Sequence, residues 1–247
     1  MKSADSLNDH LDYLNLKYFQ ENLESLTQQA AQEQWTPLQY LGRLLEGEVH
    51  RRQDQRVARR VQAARFPVIK TLEQFDWGWP SKINRDQVRD LFRLSFLEEH
   101  ANVILLGGVG LGKSHLATAL GHAACLRGHS VLFATAVDVI NTLTAAAAAQ
   151  RLKAELKRYL SPKLLILDEV GYLPIDKVGA DLLFQIVSHR YESGSMILTT
   201  NQPFKNWSKV FNNDSTLASA LLDRILHHAH VVTIQGKSYR MKDQIET

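Results

Sequence analysis

The sequence of 247 residues predicts the α/β fold class, with a parallel five-stranded sheet flanked by helices and a small all-α N-terminal domain before it. Apolar runs of strand length alternate with helical segments from Asn102 onward, which is typical of a parallel sheet. The first run leads into a glycine-rich turn and then a helix. Ahead of residue 66, by contrast, leucines recur at helical spacing.

The N-terminal region divides into helices at recognisable signals. Thr36 can cap a new helix that has Pro37 at its first position. This helix ends at Phe66, because a residue that precedes proline disfavours the α conformation. We therefore predict a helical N-terminal domain over 1–66, a linker over 67–84 and an α/β domain over 85–247.

The linker is irregular and carries the aromatic residues Phe75, Trp77 and Trp79. These rings either stack on a nucleotide base or dock the linker on the core, and composition does not choose between the two. One helix is expected from about 85 to 99, capped by Asn84 or Ser81. Further helices are expected at about 113–127, 137–158 and 178–192. The predicted strands are Val103–Leu106, Val131–Ala134, Leu164–Leu167, Met196–Thr200 and Val231–Ile234.

The turn after the first strand matches G-x-x-x-x-G-K-[ST] with Gly107, Gly112, Lys113 and Ser114. Such a loop aims successive backbone N–H groups at phosphates, and the following helix adds its positive N-terminal end. Lys113 would reach the β- and γ-phosphates, and the Ser114 hydroxyl would hold Mg²⁺. The residues predicted to bind nucleotide here are Gly107, Gly108, Val109, Gly110, Leu111, Gly112, Lys113, Ser114 and His115.

Polar residues follow two later strands. The apolar run from Lys163 ends in Asp168 and Glu169, and a buried strand of a doubly wound sheet delivers such carboxylates beside the phosphate loop. Asp168 would hold Mg²⁺, and Glu169 would polarise the water that attacks the γ-phosphate. Asn201, after the next strand, would orient that water; the alternative is a plain turn residue before Pro203.

Arg224 is the one arginine on an otherwise apolar stretch, Leu221–Leu226. It either pairs with Asp223 or acts as an arginine finger on the γ-phosphate of a neighbouring subunit. His227, His228 and His230 follow. Their spacing suits no standard zinc site without further ligands, so we interpret them as surface or packing residues.

Two basic stretches are candidates for contact with a polyanion. Residues 51–65 hold six arginines and one acid, a local charge of +5 in a chain whose net charge is +3. The pattern fits either a solvated helix face or a nucleic-acid contact. The predicted DNA-binding residues are Arg52, Arg56, Arg59 and Arg60 of this stretch and Lys153, Lys157 and Arg158 of a second helix.

Composition argues against a membrane-spanning, secreted or disulfide-bonded protein. No apolar run approaches the roughly 18–20 residues that span a bilayer, and the N-terminus lacks the apolar core of a signal peptide. Cys125 is the only cysteine, so an internal disulfide is impossible. We expect a cytoplasmic protein with no membrane partner.

The motifs together resemble those of the AAA+ P-loop NTPases, and more specifically those of the IstB family, the ATP-binding helper proteins of bacterial transposable elements. The DnaC helicase loaders are relatives of that family. The stretches that carry the resemblance are Ala64–Pro67, Thr71–Asp76, Gly107–His115, Leu164–Leu173, Arg190–Glu192, Leu198–Asn201, Leu222–His228 and Gly236–Arg240. The phosphate loop departs slightly from the family's usual pattern, with Gly108 where proline is usual and Ser114 where threonine is usual.

The resemblance implies an ATPase domain over 85–247 that uses ATP and Mg²⁺, assembles into an oligomer on double-stranded DNA and stimulates the transposase of the same mobile element. Lys113 and Ser114 would be Walker A, Asp168 and Glu169 Walker B, Asn201 sensor 1, and Arg224 the finger acting in trans. No full C-terminal lid is expected after the last strand, and Arg240 is a conjectural substitute for the lid's sensor arginine.

Two other functions remain open from the sequence. A helicase loader would bind a replicative helicase and single-stranded DNA. The arginine stretch on the N-terminal helices favours the transposition helper, since loaders dedicate that region to the helicase. A degenerate module would bind ATP without hydrolysing it, and the intact Asp168–Glu169 pair argues against that.

Overall fold

The computed structural model describes residues 2–241, with side chains from residue 6 onward. It divides into two compact units, Met1–Arg59 and Arg60–Thr247. The helices are α1 (Lys2–Tyr13), α2 (Lys17–Gln32), α3 (Pro37–Ala64), α4 (Arg85–Leu91), α5 (Ser95–Glu98), α6 (Lys113–Leu126), α7 (Ala136–Ala148), α8 (Leu152–Leu160), α9 (Lys177–Arg190), α10 (Trp207–Val210) and α11 (Ser215–Leu226). The strands are β1 (Asn102–Gly107), β2 (Val131–Thr135), β3 (Leu164–Asp168), β4 (Ser195–Thr200) and β5 (Ala229–Ile234).

The N-terminal unit is helical, as predicted. Leu11, Phe19 and Leu44 form its buried centre, and four partly buried apolar side chains pack around them. The start of α3 follows the predicted cap: the Thr36 hydroxyl accepts a hydrogen bond from the Gln39 N–H at 3.3 Å, and Gln39 reaches back to the Thr36 N–H at 2.7 Å. This reciprocal pair satisfies backbone donors that a helix start leaves without partners.

The second unit is a five-stranded parallel sheet in the order β2-β3-β4-β1-β5. All five predicted strands are present, with ends within two residues of those expected. Their apolar side chains are almost wholly buried because helices cover the sheet. Since β4 lies between β1 and β3, the carboxyl ends of the strands that precede Lys113, Glu169 and Asn201 are neighbours.

Two predicted helices are wrong in extent. The segment 85–99 is divided into α4 and α5, because Leu94 takes a left-handed backbone angle, φ 63°, that a helix cannot continue. The segment 137–158 is divided into α7 and α8 around Gln150, at φ 55°. A helical pattern continues through each break, so composition alone did not reveal either turn.

The linker after α3 is irregular, as predicted, and part of it packs on the sheet unit. Phe75 is buried and meets Trp77 and His115 edge-on, with ring centroids 5.0 and 5.4 Å apart. Lys82 and Gln235 exchange backbone hydrogen bonds. Among the described residues no helix is both long and apolar enough to cross a membrane.

Candidate functional site

The phosphate loop joins β1 to the first turn of α6, and its shape depends on two glycines with positive φ. Gly110 lies at 71° and Gly112 at 85°. A Cβ on Gly110 would collide with Ser238, and one on Gly112 would collide with Phe75. Other residues are strained at these angles and have no space there, so glycine is required at both positions.

Lys113 is the first residue of α6 and bends back over the loop, where its Nζ donates a hydrogen bond to the Gly108 carbonyl at 2.6 Å. Burial lowers its pKa, Asp168 and Glu169 oppose that shift, and Arg240 adds to it. His115 is tied to the linker, since its Nε2 lies 2.8 Å from the Thr71 carbonyl oxygen, and burial lowers its pKa. Hydrogen bonds therefore connect α6 both to the phosphate loop and to the linker.

The two predicted magnesium ligands lie side by side. The Ser114 hydroxyl donates to Asp168 Oδ1 at 2.8 Å, and Asp168 is buried at the end of β3. A hydroxyl and a carboxylate oxygen are ligands that Mg²⁺ prefers in phosphate sites. The donor set therefore fits the ion that the sequence predicted, with Ser114 and Asp168 as the residues that would hold it.

Ser114 and Lys113 line a cavity of about 440 Å³, whereas Gly107, Gly108 and Asp168 of the predicted site are not part of its lining. Glu169 and Asn201 both line it, and the Asn201 amide oxygen is buried with no hydrogen-bond partner among the described residues. A buried acceptor of this kind normally has a partner, so it fits a bound group or water in the cavity. The loop residues in the lining are Val109, Gly110, Leu111, Gly112, Lys113, Ser114 and His115.

Residues outside the predicted set complete the cavity. Trp79 and Tyr239 both line it and meet edge-on with ring centroids 5.6 Å apart, and the Trp79 indole donates a hydrogen bond to the Lys237 carbonyl at 2.8 Å. The Tyr239 N–H donates to the Gly110 carbonyl at 2.8 Å. The segment after β5 therefore closes onto the phosphate loop, and it places Arg240 in the lining.

Thr199, Tyr172 and Tyr239 also line the cavity, although none of them was predicted as a site residue. Thr199 gave no signal because a threonine inside a β-rich run is ordinary strand composition. Of the linker rings, Phe75 is buried in the core and also lines the cavity, Trp77 packs against the core, and Trp79 lines the cavity.

Arg224 lies outside this cavity in its own chain. Its Nη1 donates to the Ala220 carbonyl at 2.9 Å, and its guanidinium lies 4.8 Å from the centre of the Phe184 ring. Among the ion pairs of residues 6–241 none joins Arg224 to Asp223. The half-exposed guanidinium is therefore not held by the local ion pair that was the alternative to a finger.

The histidines after α11 are at or near the surface. His227 and His228 are exposed and His230 is half-buried. Glu192, which the sequence did not group with them, brings a carboxylate within 4.8 Å of ligand atoms of His227 and His228, but all three side chains are exposed. The Tyr191 hydroxyl lies 3.0 Å from His227 Nδ1.

The basic side chains predicted to bind DNA differ in whether they already form ion pairs or hydrogen bonds within the protein. Arg52 pairs with Glu48 at 2.8 Å and also donates to the Asn15 carbonyl at 3.1 Å. Arg56 and Arg59 are exposed, and no ion pair involves them in the described part of the chain. In the second unit Arg60 is half-buried, Lys153 and Lys157 are exposed, and Arg158 pairs with Glu155 at 2.9 Å.

Comparison with known proteins identifies the family. The family model described as IstB-like ATP binding protein matches residues 9–247. The chain belongs to this IstB-like family. It is 41% identical over 241 residues to the ATP-binding protein of insertion sequence IS232 from Bacillus thuringiensis subsp. berliner, covering 98% of this chain and 96% of that protein. It is 42% identical to the IS21 counterpart from Pseudomonas aeruginosa, covering 95% and 88%.

Solved structures show the same fold at lower identity. AMPPCP-bound DnaA from Aquifex aeolicus matches with a TM-score of 0.58 and 23% identity, over 74% of this chain and 55% of that one. The DnaC helicase loader matches with a TM-score of 0.55 and 20% identity, over 67% and 96%. The prediction of an α/β fold with a parallel five-stranded sheet flanked by helices, after a helical N-terminal segment, is thus confirmed.

Proposed function

We propose that this IstB-like ATP-binding protein is a Mg²⁺-dependent ATPase that assembles on duplex DNA and assists the transposase of its own insertion sequence. The observation that carries the proposal is that Lys113, Ser114, Asp168, Glu169 and Asn201 meet at the carboxyl edge of the sheet, where all but Asp168, which is hydrogen-bonded to Ser114, line one cavity. A site that only bound ATP would need the first three of these residues but not a carboxylate and an amide beyond the phosphate loop.

Each residue has a role in hydrolysis. Lys113 and the loop N–H groups hold the β- and γ-phosphates, and Ser114 and Asp168 hold Mg²⁺, which neutralises phosphate charge when bound. Asn201 orients a water, and Glu169 accepts its proton as the oxygen attacks the γ-phosphorus. The bond from that phosphorus to the β–γ bridging oxygen breaks, so the products are ADP and inorganic phosphate.

The transposition role is favoured over the helicase-loader alternative by the extent of the relatives. The insertion-sequence proteins match along almost their whole length at 41% and 42% identity, whereas the likeness to the DnaC loader is one of fold. An N-terminal unit with exposed Arg56 and Arg59 supplies the positive surface that phosphate contact needs.

Two variants should distinguish the residues needed for ATP binding from those needed only for ATP hydrolysis. Lys113→Ala removes the charge on the β- and γ-phosphates and should abolish nucleotide binding. Glu169→Gln keeps the shape of the side chain but cannot accept the proton, so it should bind ATP normally and hydrolyse it about 100-fold more slowly. A fluorescent ATP analogue reports affinity, and phosphate release reports turnover. Wild-type hydrolysis by Glu169→Gln would exclude Glu169 as the base.

Duplex DNA binding should weaken steeply with salt, because phosphate contacts release counterions, and log affinity should fall by roughly 0.9 per unit of log salt for each neutralised phosphate. Among the described residues no ion pair holds Arg56 or Arg59, so changing both to Ala should make the slope of log affinity against log salt shallower by about 2. Fluorescence anisotropy with labelled duplex across a salt series, with ATP present, measures it.

The charge-matched control for this pair is Arg89→Ala with Arg93→Ala, since both arginines already face Asp86 and Asp90. It removes the same charge and should leave the slope unchanged. If the Arg56 and Arg59 variant also keeps the wild-type slope, the arginine stretch is a solvated face or a transposase contact, and Lys153, Lys157 and Arg158 become the candidates for DNA.

A further inference from the structure

Thr199 lies on β4, one strand away from the acidic pair, and connects to both of its members. Its hydroxyl donates to Asp168 Oδ1 and accepts a hydrogen bond from the Glu169 N–H at 2.9 Å. The Thr199 carbonyl accepts a third bond, from the Val170 N–H at 2.9 Å. The side chain is 1% exposed, so water does not compete for these bonds.

The strand register explains how one threonine reaches two acids. Leu167 of β3 is opposite Leu198 of β4, and β3 ends at the next residue, Asp168. Thr199 therefore comes level with the point where β3 ends and the chain turns toward the cavity. A hydroxyl at this position both donates and accepts, which a valine of the same shape cannot do.

The backbone that Thr199 holds is strained. Glu169 has φ 60°, in the left-handed region that is unfavourable for a non-glycine residue. Its carboxylate is exposed to the cavity, whereas Asp168, one residue earlier, is buried. The left-handed turn thus leaves Asp168 buried and places the adjacent Glu169 carboxylate at the cavity. The hydrogen bonds from the N–H groups of Glu169 and Val170 to Thr199 stabilise this turn.

Asp168 Oδ1 accepts from two hydroxyls, those of Thr199 and Ser114. Ser114 is itself a predicted Mg²⁺ ligand, so Thr199 is the donor that stays on the carboxylate when Ser114 turns to the ion. A hydrogen-bonded carboxylate keeps its orientation, and partners of this kind typically affect metal affinity or activity 10- to 100-fold.

We propose that Thr199 is a positioning residue that sets the geometry of both Asp168 and Glu169 through a single hydroxyl group. This deepens the proposed ATPase function and rests on it. Thr199 contacts neither phosphate nor the attacking water in this role; it acts through the two acids. The strand that carries Asn201 is thereby linked directly to the strand that carries the acidic pair.

The decisive variant is Thr199→Val, which keeps the shape of the side chain and removes the hydroxyl. We expect kcat to fall about 10- to 100-fold and the Mg²⁺ concentration for half-maximal nucleotide binding to rise by about 10-fold. Affinity for nucleotide at saturating Mg²⁺ should stay within about twofold of wild type, since the phosphate loop is intact. Thr199→Ser restores the hydroxyl and should recover most of both losses.

Ser195→Ala is the matched control. Ser195 lies at the other end of β4, is fully buried, and donates its hydroxyl to the Phe96 carbonyl at 3.0 Å. Its loss should lower the urea midpoint as Thr199→Val does, but leave kcat and the Mg²⁺ requirement unchanged. Equal catalytic defects in the two variants, or no recovery in Thr199→Ser, would mean that Thr199 only supports the strand.

The Mg²⁺ titration separates this inference from the proposed function. If the wild-type protein releases no phosphate, the ATPase proposal fails, while a changed Mg²⁺ requirement in Thr199→Val would still show that Thr199 orients Asp168. If the wild-type protein and Glu169→Gln behave as proposed but Thr199→Val matches wild type in both kcat and Mg²⁺ requirement, only the role of Thr199 is overturned.

Discussion

Arg224→Ala should lower ATP hydrolysis by about 10³-fold or more, within the roughly 10³–10⁵ range of arginine fingers, and leave ATP binding intact. The reason is that a finger stabilises charge that develops in the transition state and is not needed for ground-state phosphate contacts. In the structure Arg224 does not line the cavity of its own chain, so its target on this proposal is the cavity of a neighbouring subunit.

Mixing two inactive variants tests action in trans. Lys113→Ala has a damaged nucleotide cavity but keeps Arg224, whereas Arg224→Ala keeps an intact cavity but lacks the arginine. A mixed assembly contains interfaces with one intact cavity and one intact finger, so hydrolysis should partly return. If mixing restores nothing while both variants remain folded and associate, Arg224 does not act on a neighbouring subunit.

Two further variants address a merely structural role for Arg224. Arg224→Met keeps aliphatic contact with Phe184, which the guanidinium now covers at 4.8 Å, and it should still be inactive. Asp223→Ala should retain activity, because no ion pair joins Asp223 to Arg224 in the described structure. A shared defect in Asp223→Ala would instead indicate a local role that stabilises α11.

Arg190→Met should reduce the free energy of unfolding by about 4 kcal/mol, the size expected when several hydrogen bonds to a buried charge are lost together. Arg190 is the last residue of α9 and is 2% exposed. Its guanidinium donates to five backbone carbonyls and, within the described part of the chain, to no carboxylate. The acceptors belong to Tyr159, Leu160, Pro162, Lys163 and Ser195.

These contacts explain the size of the effect. Arg190 satisfies carbonyls at the C-terminal end of α8, where a cation is also favoured by the helix dipole, and it links them to the start of β4. Burial lowers its pKa to about 10, so the side chain remains charged at neutral pH. In the methionine variant the carbonyls would lose their donor in a site that excludes water.

Urea unfolding monitored by circular dichroism measures this change. Arg93→Met is the control, since Arg93 is exposed and faces Asp90 at 3.5 Å, and such surface pairs contribute at most about 1 kcal/mol. Arg190→Lys keeps the charge but not the planar set of donors, so it should recover only part of the loss. If Arg190→Met unfolds like Arg93→Met, the carbonyl contacts do not stabilise the fold.

Much of the candidate site could be predicted because its chemistry is local in sequence. The pattern Gly107–Ser114 specifies a loop whose glycines and lysine act within eight consecutive positions, and the structure brings Asp168 to Ser114 as a parallel sheet requires. The acids at the end of β3, Asp168 and Glu169, and the asparagine after β4 were also predictable, since polar residues at the ends of parallel strands meet at one edge of the sheet.

Other features depend on contacts between distant positions. Thr199 meets Asp168 across 31 positions, and Arg190 reaches Tyr159 across 31 as well, so neither role is visible in the local composition of a strand or helix. The same holds for the linker, where Phe75 is buried in the core and also lines the cavity, and Trp79 lines the cavity. The contacts of each linker ring were therefore decided by residues that are distant from it in the chain.

The sequence by itself determined the fold class, the family and the phosphate-binding chemistry, because periodicity and motif spacing act over a few residues. Only the tertiary structure decided how the acids are aimed, where the helices break at Leu94 and Gln150, and which arginines are already held by other groups. Those outcomes depend on the strand order and register, which place residues far apart in the chain within hydrogen-bonding distance.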